Sequence, residues 1–568
     1  MKKQLCFLLF YLMLATYCLS QNFQWARHNE GRGDDLAYSV TVDGSGNVYT
    51  TGFFYDTIDL DPGPGVYNLI ATSGYDAYVS KLDASGNFVW AKSFNGSIAT
   101  MGKTIKLDAS GNIYIGGHFQ GTTDFNPGTG VFNLTSVGAS QDIFICKLTG
   151  TGTFVWAKQF GGSDNFEETT SLALDASGNI YFTGQFGATA DFDPGPSTFN
   201  LTSAGVDDIF VAKLNSLGTL MWAKDVGGSS YDGAEGLSLD NSGNVLITGF
   251  FQSTADFDPG SGVVNLTSNG SGDIFILKLN SSGNFVWAKQ IGGSDQDIAY
   301  GVTVDNSGNV YTTGTFGYSG GGTVDFDPGA GVYNFTASNA DMFISKLDNS
   351  GNFVWAKQFD EYWGVNPYAI THDNSGDIYL SGSFSNTVDI DPDPATSFYL
   401  SATSASYYDV FILKMNSGGN FVWARDMDGD EGTGYGIAVG SSNDLYTVGY
   451  FMGTMNFDPG FSNYSLTCAI NRDSFIHKMD GITGIDEFEA NSFSLFPNPA
   501  TTWAHINFKE ERQNCNITII DALGNEIKTM NFSGKELAID IRELPKGLYL
   551  IRTSDQNKKV SGKKIVIE

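Results

Sequence analysis

"NFQWAR" at residues 22–27 returns six more times in near-copies, for example as "NFVWAK" at 87–92 and 284–289. Its Trp-Ala-Lys/Arg triplets begin at Trp25, Trp90, Trp156, Trp222, Trp287, Trp355 and Trp423, at spacings of 65, 66, 66, 65, 68 and 68 residues. So steady a period marks an array of one supersecondary unit. Within residues 235–289 the unit carries four apolar segments, "EGLSLD", "NVLITGFF", "DIFILKLN" and "NFVWAKQ", each bounded by Gly, Asn, Asp or Ser. Their β-branched and aromatic residues predict four strands, A to D. "DNSGN" joins A to B and "NSSGN" joins C to D. These are tight hairpin turns, with Gly at positive φ and the Asx side chain bonded to backbone. Four antiparallel strands per unit make a propeller blade.

A, B and C segments occur seven times, ending with "YGIAVG", "DLYTVGYF" and "DSFIHKM", but no D segment follows Met479. Residues 22–27 are the missing seventh D strand. Pairing them with the strand at 473–479 removes both exposed edges, whereas an open solenoid would need polar caps and no displaced strand. The expected fold is all-β: a seven-bladed β-propeller over residues 21–484, closed by an N-terminal strand. "DNSGNVYTTGTF", "DFDPG" and "DMFISKLDNSGNFVWAKQF" resemble the SBBP family of β-propeller repeats found in secreted bacterial proteins, over about residues 22–480. That resemblance implies an architecture and no settled activity.

Composition agrees, with 70 Gly in 568 residues, 14% aromatics and only 16% charged residues, as short strands and many turns require. "MKKQLCFLLFYLMLATYCLSQ" has two lysines, an apolar run too short to span a bilayer, and small residues Cys18 and Ser20 before Gln21. Residues 1–20 read as a secretory signal peptide. Bulky Tyr17 disfavours a lipoprotein cut at Cys18, and the mature chain is expected to hold no transmembrane segment. Cys146, Cys468 and Cys515 remain, too dispersed for a disulfide framework. Net charge is −31, yet residues 491–568 hold 11 basic and 9 acidic residues, so the acidity belongs to the repeats. Such a surface repels nucleic acid and attracts cations.

After a linker at 485–490, the segments "FSLFPNPATTWAHINF", "NITIIDALGNEI", "LAIDI" and "LPKGLYLIRT" read as short strands of a small β-sandwich over 491–568. "FPNPA", "DALGNEI", "LPKGLYLIR" and the basic "KKIVIE" end, in that order, resemble the C-terminal sorting domain of the type IX secretion system of Bacteroidetes. The resemblance implies the type IX machinery as partner and export across both membranes. It also implies removal of the tail, leaving the protein extracellular or attached to the outer-membrane surface.

The B-to-C segments repeat as "TIDLDPGPGVYNL" or "TADFDPGSGVVNL", an additional small hairpin with paired aspartates. Asp59 and Asp61, Asp191 and Asp193, Asp256 and Asp258, Asp325 and Asp327, and Asp389 and Asp391 are candidate Ca²⁺ ligands, oxygen donors for a hard cation. The competing reading makes them turn residues before Pro-Gly, and Asp124 with Asn126 and Asn456 with Asp458 carry less charge. "DMDGDEG" at 426–432 starts like a calcium loop but lacks its terminal Glu, and reads as a solvated acidic link. Tyr362, Trp363, Tyr368, Tyr407 and Tyr408 gather where the repeat is irregular, near one blade's loop-rich end. They are candidates for stacking on an extracellular glycan or protein ligand, or for packing under a loop. Ser319 in "GYSGG" lacks the strand-to-helix elbow of a nucleophile, and the five histidines show no metal spacing. A non-catalytic binding or adhesion scaffold is expected; the alternative is a glycoside hydrolase or lyase using loop carboxylates of different blades.

Overall fold

The computed structural model describes residues 23–480 and 493–567 apart from short stretches, among them 319 and 360–363. The signal peptide at 1–20, the linker at 485–490, Ser319, Tyr362 and Trp363 therefore lie outside the described residues. Every element among the described residues is a strand, and Phe23–Asp480 forms one compact unit.

Strand pairing gives that unit successive sets of four antiparallel strands, several of them merged into larger sheets through the small hairpins and the long strand Phe421–Val439. The fourth holds Gly233–Leu239, Val245–Phe251, Asp273–Leu279 and Phe285–Ile291 in the order A, B, C, D. Its A–B turn shows why the hairpin sequence recurs. Asp240 Oδ1 accepts the amides of Ser242 and Asn244 at 2.9 Å each, its Oδ2 accepts from the Asn244 side chain at 2.8 Å, and Gly243 sits at φ +76°. Backbone that would otherwise dangle in the turn is satisfied by one side chain. The innermost strand of each sheet touches that of the next, and the last touches the first. The sheets thus close into a propeller around a central channel.

Phe23–His28 is the outer strand of the last sheet, antiparallel to Asp473–Met479, with Ala26 opposite His477. Trp25 reproduces the contacts of its repeats. It stands edge-on to Tyr446 of its own sheet at 6.4 Å, as Trp90 does to Tyr49. Its indole N–H donates to Ala84 O of the first unit at 3.2 Å, as that of Trp222 does to Ser281 O of the following unit at 3.3 Å. A Cβ on Gly86 would come within 2.9 Å of the Trp25 ring, which is why the C–D turn needs glycine for space as well as for φ. One sheet docks on the next by placing a tryptophan on a turn glycine, and the junction between last and first uses the same contact.

The expected extra hairpin is present in all seven units, for example Thr254–Asp256 with Asn265–Thr267. Its aromatic packs on strand D of the same unit, Tyr67 on Phe88 and Tyr333 on Phe353 at 4.9 Å each. Its edge bridges to the preceding unit, with Asp124 opposite Asn95, Asp256 opposite Gly227 and Asp59 opposite Glu30. The added residues cover an outer edge strand and fasten neighbours together. The acidic stretch at 426–432 is a correction to the sequence reading. It lies within the continuous strand Phe421–Val439, with Asp428 paired to Asn456, and not in a loop.

From Phe493 the chain forms a separate unit of five antiparallel strands. Its long strand Trp503–Ile520 pairs with Phe493–Phe496, Glu526–Asp540 and Gly547–Ser554. Ile506, Phe508, Ile517, Ile539, Ile551 and Ile565 fill a core of its own.

Candidate functional site

The paired aspartates serve as turn acceptors. Asp256 Oδ1 takes the amides of Asp258 at 3.0 Å and Val264 at 2.8 Å, and Asp258 Oδ1 takes that of Gly260 at 2.8 Å. Asp59 with Asp61, Asp191 with Asp193, and Asp325 with Asp327 repeat this pattern. Asp389 accepts from Asp391 and Phe398, and Asp391 from Asp393. Asn126 and Asn456 make the corresponding bonds through Oδ1, so an amide does the same work as a carboxylate. Asp325 and Asp327 also line a cleft of about 390 Å³ with Lys289 and Gln290. Among the described residues no group of three or more His, Cys, Asp or Glu is placed to hold a metal ion. Asp256→Asn is expected to leave the melting temperature within about 1 °C, whereas Asp256→Ala costs about 2 kcal/mol for two orphaned amides. Thermal unfolding with millimolar Ca²⁺ and with chelator checks the same residues, since a clear rise with Ca²⁺ would assign them to a metal.

The units share a bulge on the innermost strand but not the residue that occupies it. In the fourth, Ala234 pairs with Gly249 and Gly236 with Thr248, so Glu235 bulges out of the ladder. The same slip falls at Tyr38, Lys103, Thr170, Tyr300, Tyr368 and Tyr435. A bulge re-aims a side chain while the strand continues. All seven bulged residues are half-buried while the residue before each is buried, as expected of side chains turned into a channel.

Four of the seven are tyrosines on adjacent units. Ring centroids lie 5.9 Å apart for Tyr300 and Tyr368, 5.2 Å for Tyr368 and Tyr435, and 5.1 Å for Tyr435 and Tyr38. Phe53 and Tyr450 extend this wall, each 5.9 Å from a member of the arc. The facing units supply Lys103 and Glu235, with Glu168 two residues before the Thr170 bulge. Lys103 Nζ stands 4.6 Å over the Tyr38 ring. Glu168 Oε2 is 3.6 Å from His118 Nδ1, and its Oε1 accepts from Gln185 at 3.5 Å. Burial pushes Glu235 up to about 7, aided by the charge of Glu168 and opposed by Lys103. Burial also pulls His118 down to about 3, leaving it neutral, and pushes Tyr38 and Tyr368 up to about 12, so these phenols keep their protons.

Tyr368 is thus a channel residue in strand Val365–His372 and not a loop aromatic. Tyr408, exposed at 38%, stands directly before the strand Asp409–Met415; Tyr407 is exposed at 48%. Tyr38, Tyr300 and Tyr435 escaped the sequence reading, although each lies five residues before the A–B turn residue of its unit, Asp43, Asp305 and Gly440.

Several carboxyls share the upward shift. Burial lifts Asp142, Asp232 and Asp409 to about 6, and Asp208, Asp297 and Asp426 to about 7. Such groups hold protons in the folded state that the unfolded chain has already lost, so stability falls as pH rises through the folded values. His118 and His477, lowered by burial to about 3, act in the opposite sense but only below about pH 6.5. The melting temperature is therefore expected to fall, on the order of 3 °C, between pH 6.5 and 8. A scan showing a rise over that window would remove the buried carboxyls from the account.

Fold and repeat define a β-propeller repeat protein. Residues 286–315 match the family profile described as a beta-propeller repeat, and residues 494–568 that of the secretion system C-terminal sorting domain. The chain therefore carries a type IX sorting tail and is a secreted or cell-surface β-propeller protein. It is 24% identical over 533 residues to the uncharacterized WD repeat-containing protein L264 of Acanthamoeba polyphaga mimivirus, covering 79% of this chain and 38% of that relative. It is 23% identical over 228 residues to the regulatory protein FlaEY of Caulobacter vibrioides, covering 39% of this chain and 23% of that one. The chain thus spans well under half of either relative. Among solved structures, PorZ, a surface component of the type IX secretion system of Porphyromonas gingivalis, aligns over 95% of this chain and 100% of its own at 10% identity and TM-score 0.19. The polysaccharide lyase Uly1 aligns over 78% of this chain and 89% of its own at 11% identity and TM-score 0.38. Likeness at those scores bears on neither partner nor activity.

Proposed function

We propose that this protein is a non-catalytic binding or adhesion scaffold, exported by the type IX route and left released or surface-attached once signal peptide and tail are removed. Its ligand is taken at the central channel. What supports the reading is the seven bulges. Units that share one strand and hairpin plan aim different side chains inward at the same bulge, Tyr on four and Lys, Thr or Glu on three. Variation at one structurally equivalent position around a ring of repeats is a place where specificity can be set.

A polysaccharide-active enzyme is the second reading. It draws on Glu168 and Glu235, carboxyls of neighbouring units close enough for one to raise the other. The two separate in one experiment. The secreted protein is applied to surfaces coated with mucin, fibronectin or insoluble polysaccharide, and soluble products are assayed alongside. Retention without new reducing or unsaturated ends is the expected result. Product release abolished by both Glu168→Gln and Glu235→Gln would make it an enzyme.

A further inference from the structure

We propose that the central channel binds a neutral saccharide, its pyranose faces packed against individual rings of the arc Tyr300, Tyr368, Tyr435 and Tyr38 and its hydroxyls bonded to the wall that carries Glu168, Glu235 and Lys103. This rests on the scaffold reading and names its ligand class.

A pyranose is amphipathic. One or both of its faces present C–H groups, and its rim presents hydroxyls that each donate and accept. The channel is divided in the same way. On one side four phenol rings follow one another at 5.1 to 5.9 Å, inclined by 44° to 65° to their neighbours and all half-buried, so they present a mixture of faces and edges sheltered from bulk water without being sealed in the core. On the other, a carboxyl, an ammonium and the amide of Gln185 meet within two neighbouring units, and Tyr231 donates to Gln185 Oε1 at 3.2 Å. Aromatic rings opposite convergent polar groups fit a ligand with an apolar face and a hydroxyl rim.

Charge narrows the class. Cations already stand at one end of the arc, Lys103 over Tyr38 at 4.6 Å, and beside its middle, Arg472 over Tyr450 at 4.7 Å. A cationic guest in the channel would be repelled by these two fixed positive charges. An anionic guest would meet Glu168, Glu235 and Glu431, the last accepting from Tyr450 at 3.1 Å and paired with Arg472 at 3.2 Å, on a chain of net charge −31. A neutral, hydroxyl-rich guest meets neither penalty. The neutral state of the phenols suits it too, because each can donate one hydrogen bond and accept others.

The test is calorimetric titration of the secreted protein with cello-, manno-, xylo- and chitohexaose, and with hexagalacturonate and a chitosan hexamer as charged counterparts. At least one neutral hexamer is expected to bind saturably and the charged ones more weakly. Tyr435→Ala and Tyr368→Ala should each weaken that binding about tenfold, and Tyr435→Phe less than about threefold, because the face is kept and only the hydroxyl lost. Tyr399→Ala, an exposed tyrosine of an outer hairpin, should leave it unchanged. If the alanine variants fail to fold, Glu235→Gln decides. It should flatten the dependence of affinity on pH between 6 and 8, and an unaltered profile overturns the site. Preference for a charged hexamer, or full affinity in folded Tyr435→Ala and Tyr368→Ala, overturns the assignment. Retention on protein-coated surfaces with no hexamer bound overturns the saccharide and leaves the scaffold standing. Binding at the channel followed by cleavage overturns the scaffold and leaves the site.

Discussion

Deleting residues 22–27 is expected to lower the melting temperature by about 5 °C or more and to broaden the transition, because it opens the ring. The segment is short, but three losses coincide. Trp25 and Ala26 are buried, at 7% and 0% exposure, and removing a buried tryptophan alone costs about 3 to 5 kcal/mol. Asp473–Met479 would become an exposed edge strand whose residues are all buried in the intact ring. The junction between last and first units would lose the Trp25 contacts with Ala84 and Gly86, the turn-glycine contact that Trp90, Trp156, Trp222, Trp287 and Trp355 repeat on Gly152, Gly218, Gly283, Gly351 and Gly419. Trp25→Ala removes the third loss and part of the first while keeping the strand, so it should fall between wild type and deletion. A synthetic peptide of residues 21–31 added to the deleted protein should restore the transition by strand addition. Unchanged unfolding after deletion would mean that Phe23–His28 is ornamental and that the sheets hold as an open array.

Ring closure was legible because its signals are local or counted. A hairpin needs Asx, Ser and Gly at fixed offsets, and a displaced strand reveals itself by one segment too many at the start and one too few after Met479. The extra hairpin was legible for the same reason, through alternation on both sides of Pro-Gly. The channel was not. A bulge arises from the register between two strands, Tyr38 standing opposite nothing while Ala37 and Ser39 pair with Gly52 and Thr51, and a single strand read alone does not contain that offset. Tyr368 entered the sequence reading only because the link before it is irregular, and for that reason it was placed in a loop. Tyr300 and Tyr435 sit in regular units and drew no notice. The paired aspartates were read two ways, as turn residues and as Ca²⁺ ligands. Their acceptor role was visible in the two units that use asparagine, but composition alone does not say whether backbone amides or a cation take up the oxygens.

The second large effect concerns the tail. A chain ending at residue 490 is expected to remain inside the cell envelope, with almost none in the medium or on the surface, while its propeller folds as before. The physical ground is the independence of the two units. The tail has its own core, in which Ile517 and Ile551 are wholly buried and Ile506 and Ile565 nearly so, and its strands pair only with one another. Failure to appear outside cannot be put down to misfolding if the retained protein shows the wild-type transition. Ile551→Asp tests the fold of the tail itself. A carboxylate at that position should unfold it, since a buried unpaired charge costs more than a domain of this size can hold, and export should stop although every other residue of the tail is present. The converse experiment attaches residues 485–568 to a folded periplasmic reporter, which should then reach the surface or the medium. Export of the truncated chain at the wild-type level would separate the sorting domain from secretion in this protein, and export of Ile551→Asp alone would mean that the tail is read as a linear signal and not as a folded domain.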